Sequence, residues 1–149
     1  MALPTHIELQ IVTPDRLLVH EQVDEVQIPG SEGYLGVLPG HTPLLASLAV
    51  GEMWYRKGPE RTYLAIAFGF VEVLPDRVTI LARLAERAEE IDVERATVAR
   101  DRAEARLSDK TDIDYERARA ALLKAMTRLQ VASRIGLSPR AGALKRVRT

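Results

Sequence analysis

Gripping a phosphate chain takes several cations converging from more than one segment, and the second half of this 149-residue sequence supplies such a set. Arg95 lies in the run Ile91-Asp92-Val93-Glu94-Arg95-Ala96, and Lys124 and Arg128 stand four residues apart further along. A guanidinium presents a planar fork of donors and an ammonium a point charge, so three such groups on adjacent helices can hold one polyphosphate. The competing reading pairs Arg95 with Glu90, Asp92 or Glu94 on a solvated face, where an exposed ion pair contributes only ~0–1 kcal/mol. The other chemistry-bearing groups do not assemble. His6, His20 and His41 share no metal-like spacing, and the absence of cysteine excludes thiolate ligands, disulfides and cysteine nucleophiles. Glu89-Glu90 and Asp112-x-Asp114 could serve acid–base work, yet each falls at an expected helix start, where the macrodipole accounts for it. Gly30-x-x-Gly33-x-x-Gly36 joins strand to strand and so lacks the helix N-terminus that a dinucleotide fingerprint needs. The expectation is a protein with no catalytic residue and no metal site.

Two kinds of element must position these groups. Seven of eight prolines and seven of nine glycines precede residue 76, and residues 76–135 contain neither. The first part reads as short strands between turns. Residues 6–13 alternate Ile7, Leu9 and Ile11 with Glu8 and Gln10, the period of a strand with one buried face. Similar segments follow at 23–28, 53–56, 62–67, 70–74 and 78–81, with no helix between them, which predicts an antiparallel sandwich or barrel. From Asp92 the period lengthens. Val93, Ala96, Ala99, Ala103 and Leu107 mark one face of an amphipathic helix with Asp92 as its N-cap. Ser108-Asp109-Lys110 interrupts the pattern. A second helix is predicted from Thr111–Asp114, a sequence resembling a capping box, to Ile135, where Gly136 and Pro139 stop it. So short a connection predicts an antiparallel hairpin with an alanine-rich seam. A loop centred near Lys110 sets Arg95 opposite residue 125, with Lys124 and Arg128 on either side.

Charge adds a boundary. The 21 basic and 21 acidic residues cancel, which argues against a dedicated nucleic-acid binder. The cancellation is uneven: residues 1–88 hold 7 basic and 11 acidic side chains, residues 89–135 hold 10 of each, and the tail has four basic and no acidic ones. The expected organisation is therefore a sandwich over 1–88, a helical hairpin over 89–136 and a basic tail over 137–149. For the tail, disorder, an anionic lipid surface and an added inhibitory contact all stay open. No apolar run approaches the ~20 residues of a membrane span and no secretory signal is visible, so a soluble chain is expected.

Two segments carry a family resemblance. One is the turn-dense stretch Gly30-Ser31-Glu32-Gly33-Tyr34-Leu35-Gly36-Val37-Leu38-Pro39-Gly40-His41-Thr42-Pro43-Leu44-Leu45. The other is Gly69-Phe70-Val71-Glu72-Val73 through Val78-Thr79-Ile80-Leu81 into Ala85-Glu86-Arg87-Ala88-Glu89-Glu90-Ile91-Asp92. With the strand-rich half and charged hairpin, they resemble the epsilon subunit of F-type ATP synthase over residues 7–135.

That resemblance implies an N-terminal antiparallel β-sandwich of about ten strands and a C-terminal two-helix hairpin. It implies a non-catalytic central-stalk rotor component that couples proton flow to ATP synthesis. Its partners would be the gamma subunit, the c-ring and the alpha/beta catalytic head. Its place would be peripheral, on the cytoplasmic face of the bacterial inner membrane or an organellar equivalent. Contacts with the c-ring and gamma fall on Glu32, Tyr34 and His41. In the family the hairpin folds down or extends to block ATP hydrolysis, which makes Arg117, Arg119 and Lys124 the expected contacts with the head. No cofactor is required, but ATP is an expected regulatory ligand. Ile91-Asp92-Val93-Glu94-Arg95-Ala96 matches the family's Ile/Leu-Asp-x-x-Arg-Ala pattern, which implies an ATP site at Glu86, Ile91, Asp92, Arg95, Ala96, Lys124 and Arg128. Lysine stands at 124 where strong binders have arginine, which implies modest affinity. The alternative is a freestanding sandwich-plus-hairpin module that senses nucleotide or binds protein.

Overall fold

The computed structural model describes residues 3–109, 114–140 and 143–146, with residues 137–140 and 143–146 as backbone alone. Two compact units divide the chain after Ala85.

The first unit is built from strands β1 (Ile7–Val12), β2 (Leu17–Val23), β3 (Glu25–Gly30), β4 (Gly33–Val37), β5 (Leu44–Lys57), β6 (Glu60–Leu74) and β7 (Arg77–Arg87), the last continuing into the second unit. The alternation in β1 does what its period requires: Ile7, Leu9 and Ile11 are fully buried and Glu8 is exposed. They join Val26, Ile28, Met53, Leu64, Ile66, Val78 and Ile80 in one apolar core. Each such side chain contributes about 1.5–3 kcal/mol when fully buried. The hydrogen-bonded order is β2-β1-β7-β6-β5-β3-β4. β2, at one edge, nevertheless approaches β5, so the sheet folds over on itself into two layers.

Seven strands take the place of the ten expected, because two of them are long. Residues 62–67 and 70–74, read as separate strands, are both parts of β6, whose pairing with β5 runs from Leu44↔Val73 to Lys57↔Glu60. Phe68 and Gly69 mark the bend between them, with φ of 60° and 125°. A Cβ built on Gly69 would lie 1.9 Å from the Leu81 carbonyl oxygen, so only glycine permits this close backbone crossing. The sheet is also not wholly antiparallel, since β1 pairs in parallel with β7 from Glu8↔Arg77 to Val12↔Leu81. Closing the first strand of the unit onto its last is a long-range event that no local pattern announces.

Asp24, between β2 and β3, ties the β5–β6 turn to the N-terminus. Its carboxylate accepts from the Gly58 amide at 2.7 Å and pairs with His6 at 3.0 Å. Arg56 approaches it at 3.7 Å and also reaches Glu25 at 3.1 Å.

In the second unit a single 3-10 turn (Ala88–Glu90) leads to α1 (Val93–Ser108) and α2 (Tyr115–Ser133), then to a two-stranded antiparallel ribbon, β8 (Leu137–Arg140) and β9 (Ala143–Arg146). Asp92 caps α1 as expected, its Oδ1 accepting from the Arg95 amide at 3.0 Å. α2 begins directly after the predicted Thr111–Asp114 start. Thr111, Asp112 and Ile113 lie outside the described residues, and Asp114 occupies the N-cap without a side-chain cap bond. The seam is alanine: Ala96, Ala103, Ala118, Ala125 and Ala132 are buried, joined by Leu129. Gly136, with φ 85°, follows α2 in the left-handed conformation its position after the helix requires. The ribbon was not anticipated; among its described residues the tail is paired strand where disorder was one reading.

Two outcomes follow from these contacts. Gly69→Ala should cost about 2–4 kcal/mol, since the added methyl must displace backbone; urea unfolding of the purified chain measures it. Asp24 has its pKa held below the ordinary 3.8, first by the Gly58 amide and then by the His6 hydrogen bond. A depressed carboxylate adds stability above its unfolded pKa and loses it as pH falls through the folded value. Melting curves of wild type and Asp24→Asn should therefore differ most at neutral pH and converge in acid below pH ~4.

Candidate functional site

The second unit encloses a polar recess of about 260 Å³ lined by Glu86, Glu90, Asp92, Arg95, Ala96 and Arg128. Four short pieces of chain build it. The end of β7 brings Glu86, the 3-10 turn brings Glu90, the first turn of α1 with its cap brings Asp92, Arg95 and Ala96, and α2 brings Arg128. Ala96 is buried, and its small side chain leaves room between the helices.

Arg128 Nε donates to Glu86 Oε1 at 2.5 Å, a pair about 30% exposed on each side. Partial burial makes such a pair stronger than a fully solvated one. Glu90 is engaged locally, accepting from the Arg87 amide at 3.0 Å. Asp92 is committed to its cap. The Arg95 guanidinium, by contrast, forms no ion pair among the described residues, so it is the cation left open to an anion. The recess thus carries three carboxylates and two guanidiniums, with one guanidinium already neutralised.

The expected cluster is met in part. Glu86, Asp92, Arg95, Ala96 and Arg128 come together, and Ile91, buried between Glu90 and Asp92 in the chain, is not among the lining residues. Lys124 is not either. The helix ends at Ser108 and Tyr115 put the middle of the connection between residues 111 and 112, which sets residue 95 opposite 128. The loop centre at Lys110 had set it opposite 125, one turn away. Glu90 was missed as a lining residue because its acidity suited a helix start equally well.

The other expected contacts are dispersed. Arg117 and Arg119 are exposed on α2, and Arg117 lies 4.0 Å from Asp114 with 80% of its side chain in solvent. Such a pair contributes little. In the first unit Glu32 is exposed at the β3–β4 turn, beside an apolar-lined pocket of about 340 Å³ that includes Leu35, Leu44 and Leu45. Tyr34, on β4 and 58% exposed, reaches across Gly51, where an added Cβ would lie 3.0 Å from the Tyr34 hydroxyl and 2.8 Å from Pro29. His41 turns back onto its own loop, its Nδ1 2.6 Å from the Thr42 carbonyl. Among the described residues no group of histidines and carboxylates could hold a metal ion.

A sandwich unit continued by a charged two-helix unit defines the class. The sequence model for the ATP synthase delta/epsilon chain beta-sandwich domain matches residues 6–88, and that for the delta/epsilon chain long alpha-helix domain matches residues 89–133. The chain is 52% identical over 132 residues to "ATP synthase epsilon chain 2" of Syntrophotalea carbinolica, covering 87% of this chain and 96% of that one. It is 48% identical over 126 residues to the "ATP synthase epsilon chain" of Nitratidesulfovibrio vulgaris, covering 84% and 94%. The chain belongs to the ATP synthase delta/epsilon family, as an epsilon chain. Among solved structures it resembles a chain of the Euglena gracilis mitochondrial ATP synthase, OSCP/F1/c-ring, with a TM-score of 0.68, 25% identity and coverage of 91% and 82%. A chain from the central stalk and c-ring of the Tetrahymena thermophila mitochondrial enzyme shares the fold, at a TM-score of 0.57 and 14% identity.

Removing one member of the Glu86–Arg128 pair leaves the other partly buried and unpaired. Glu86→Gln and Arg128→Gln should each lower the unfolding free energy of the helical unit by about 1–2 kcal/mol. Helical circular dichroism during thermal unfolding reads this out, and in the double variant the losses should fall short of additive by the coupling energy.

Proposed function

We propose that this epsilon chain is a non-catalytic rotor component and an ATP-responsive brake on hydrolysis. The observation that carries the proposal is the recess: an Arg95 guanidinium with no ion pair among the described residues, lining it together with an Arg128 held by the Glu86 carboxylate. An incoming phosphate can take Arg95 directly and compete with Glu86 for Arg128. The exchange costs part of an existing ion pair, which supports modest affinity. Asp92 lines the recess and caps α1, while the buried Ile91 acts by shaping the start of that helix. A ligand that binds the folded hairpin alone stabilises it by RT ln(1 + [L]/Kd), so abundant ATP favours the folded state over the inhibitory one.

The partners follow from the same reading. The sandwich meets the gamma subunit and c-ring through the end carrying Glu32, Tyr34 and His41, supported by the exposure of Glu32 and Tyr34 and the apolar pocket beside Glu32. The extended hairpin meets the catalytic alpha/beta head through Arg117, Arg119 and Lys124, the first two well exposed. Among the described residues no helix is long and apolar enough to cross a membrane, so attachment at the cytoplasmic face of a bacterial inner membrane, or an organellar equivalent, runs through the complex. The freestanding-sensor reading is not favoured, because the relatives are epsilon chains and the structural neighbours come from assembled synthases.

ATP hydrolysis by a reconstituted complex tests the brake. Hydrolysis should rise several-fold when the chain is truncated after Ala88, and the triple variant Arg117→Gln, Arg119→Gln, Lys124→Gln should recover much of that rise. Hydrolysis unchanged by the truncation would remove the inhibitory role.

A further inference from the structure

The β8–β9 ribbon lies beyond the part of the chain that the family models match. The helical-domain match ends at residue 133, and an alignment of 132 residues already covers 96% of the Syntrophotalea relative. The chain enters the ribbon through a defined turn. Arg134, Ile135 and Gly136 donate their amides to the carbonyls of Val131, Ala132 and Ser133, and Gly136 takes a φ of 85° that turns the backbone out of the helix. β8 then pairs with β9 from Leu137↔Arg146 to Arg140↔Ala143.

The backbone places this ribbon on the hairpin. β8 comes within 8 Å, Cα to Cα, of α2, which it follows after three residues, and also of α1, whose last residue lies 29 positions earlier in the chain. The approach to α1 is therefore tertiary, and one strand bridges both helices. Neither partner is robust alone. A single two-stranded ribbon is marginal in water and needs a helix or further strands to pack against. The two helices meet along Ala96, Ala103, Ala118, Ala125 and Ala132, a seam that buries little apolar area. The ribbon's register makes it amphipathic, because cross-strand partners share a face and successive residues alternate. Leu137, Pro139 and Leu144 fall on one face with Arg146, and Ser138, Arg140, Ala143 and Lys145 on the other. An element of this kind gains stability from the helices and returns it by bridging them.

We propose that the ribbon is a strap that lies across α1 and α2 and holds them together as a hairpin. Hydrogen exchange read by mass spectrometry tests it on the wild-type chain, on a chain ending at Gly136, and on a full-length variant with residues 137–149 replaced by a Gly/Ser sequence. The shortened chain loses the strap, while the replacement keeps the length and loses the strand pairing. In both variants the amides of α1 and α2 should exchange about tenfold faster than in wild type, as a local opening does when it loses one modest source of stability. The amides of β1–β6 should exchange as before. A hairpin that melts outright in either variant, with helical circular dichroism lost and the sandwich strands still protected, is the limiting form of the same result. Helix exchange that stays at the wild-type rate in the Gly/Ser variant overturns the strap. An equal acceleration in β1–β6 shows a general loss of stability and overturns it too.

Discussion

The ion pair between Glu86 and Arg128 links the end of the last sandwich strand to α2, 42 residues further along the chain. It forms one wall of the recess and keeps a guanidinium partly buried without an uncompensated charge. The helices could not rely on their seam alone. An alanine contributes one methyl where a leucine contributes an isobutyl group, at about 0.8 kcal/mol for each buried methylene. Ala96, Ala103, Ala118, Ala125 and Ala132 allow close approach but add little apolar area. A hairpin of this kind gains from contacts at its base as well as along its length.

The sandwich has the opposite economy. Its core is aliphatic and continuous, and its close crossing at Gly69 tolerates no side chain. The contrast also explains where charge is spent. Asp24, His6, Arg56 and Glu25 tie sandwich strands together at their ends, whereas the hairpin's ten basic and ten acidic residues leave it neutral in sum. A neutral sum of this kind exerts no net attraction, so the field of the hairpin is set by how its charges are distributed over its faces.

The recess joins several structural roles in a few residues. Asp92 caps α1, and by doing so orients the first turn, which carries Arg95. Glu86 holds Arg128 in a partly buried pair, so the charge on α2 is compensated within the unit.

Much of this was legible in the sequence. The period-two run from Ile7 to Ile11 and the cap at Asp92 are local signals, written in residues close together in the chain, and each is found where it was read. The helix stop before Gly136 is found two residues early, at Ser133, and the loss of glycine and proline after 75 does not mark the change from strand to helix, since β7 (Arg77–Arg87) follows it. The Ile91–Ala96 run likewise marked the first turn that lines the recess. What the tertiary structure alone decided was register over distance. Whether residues 62–67 and 70–74 form two strands or one depends on β5 pairing across the bend at Phe68 and Gly69. Whether the connection centres on 110 or between 111 and 112 moves the partner of Arg95 from 125 to 128, which goes with Arg128 lining the recess and Lys124 lying outside its lining. The parallel pairing of β1 with β7 and the ribbon after Gly136 belong to the same class. Local sequence fixes the period and the ends of an element, because those depend on backbone preference and burial of one face. Which element it pairs with, and in what register, depends on the summed contacts of residues far apart in the chain.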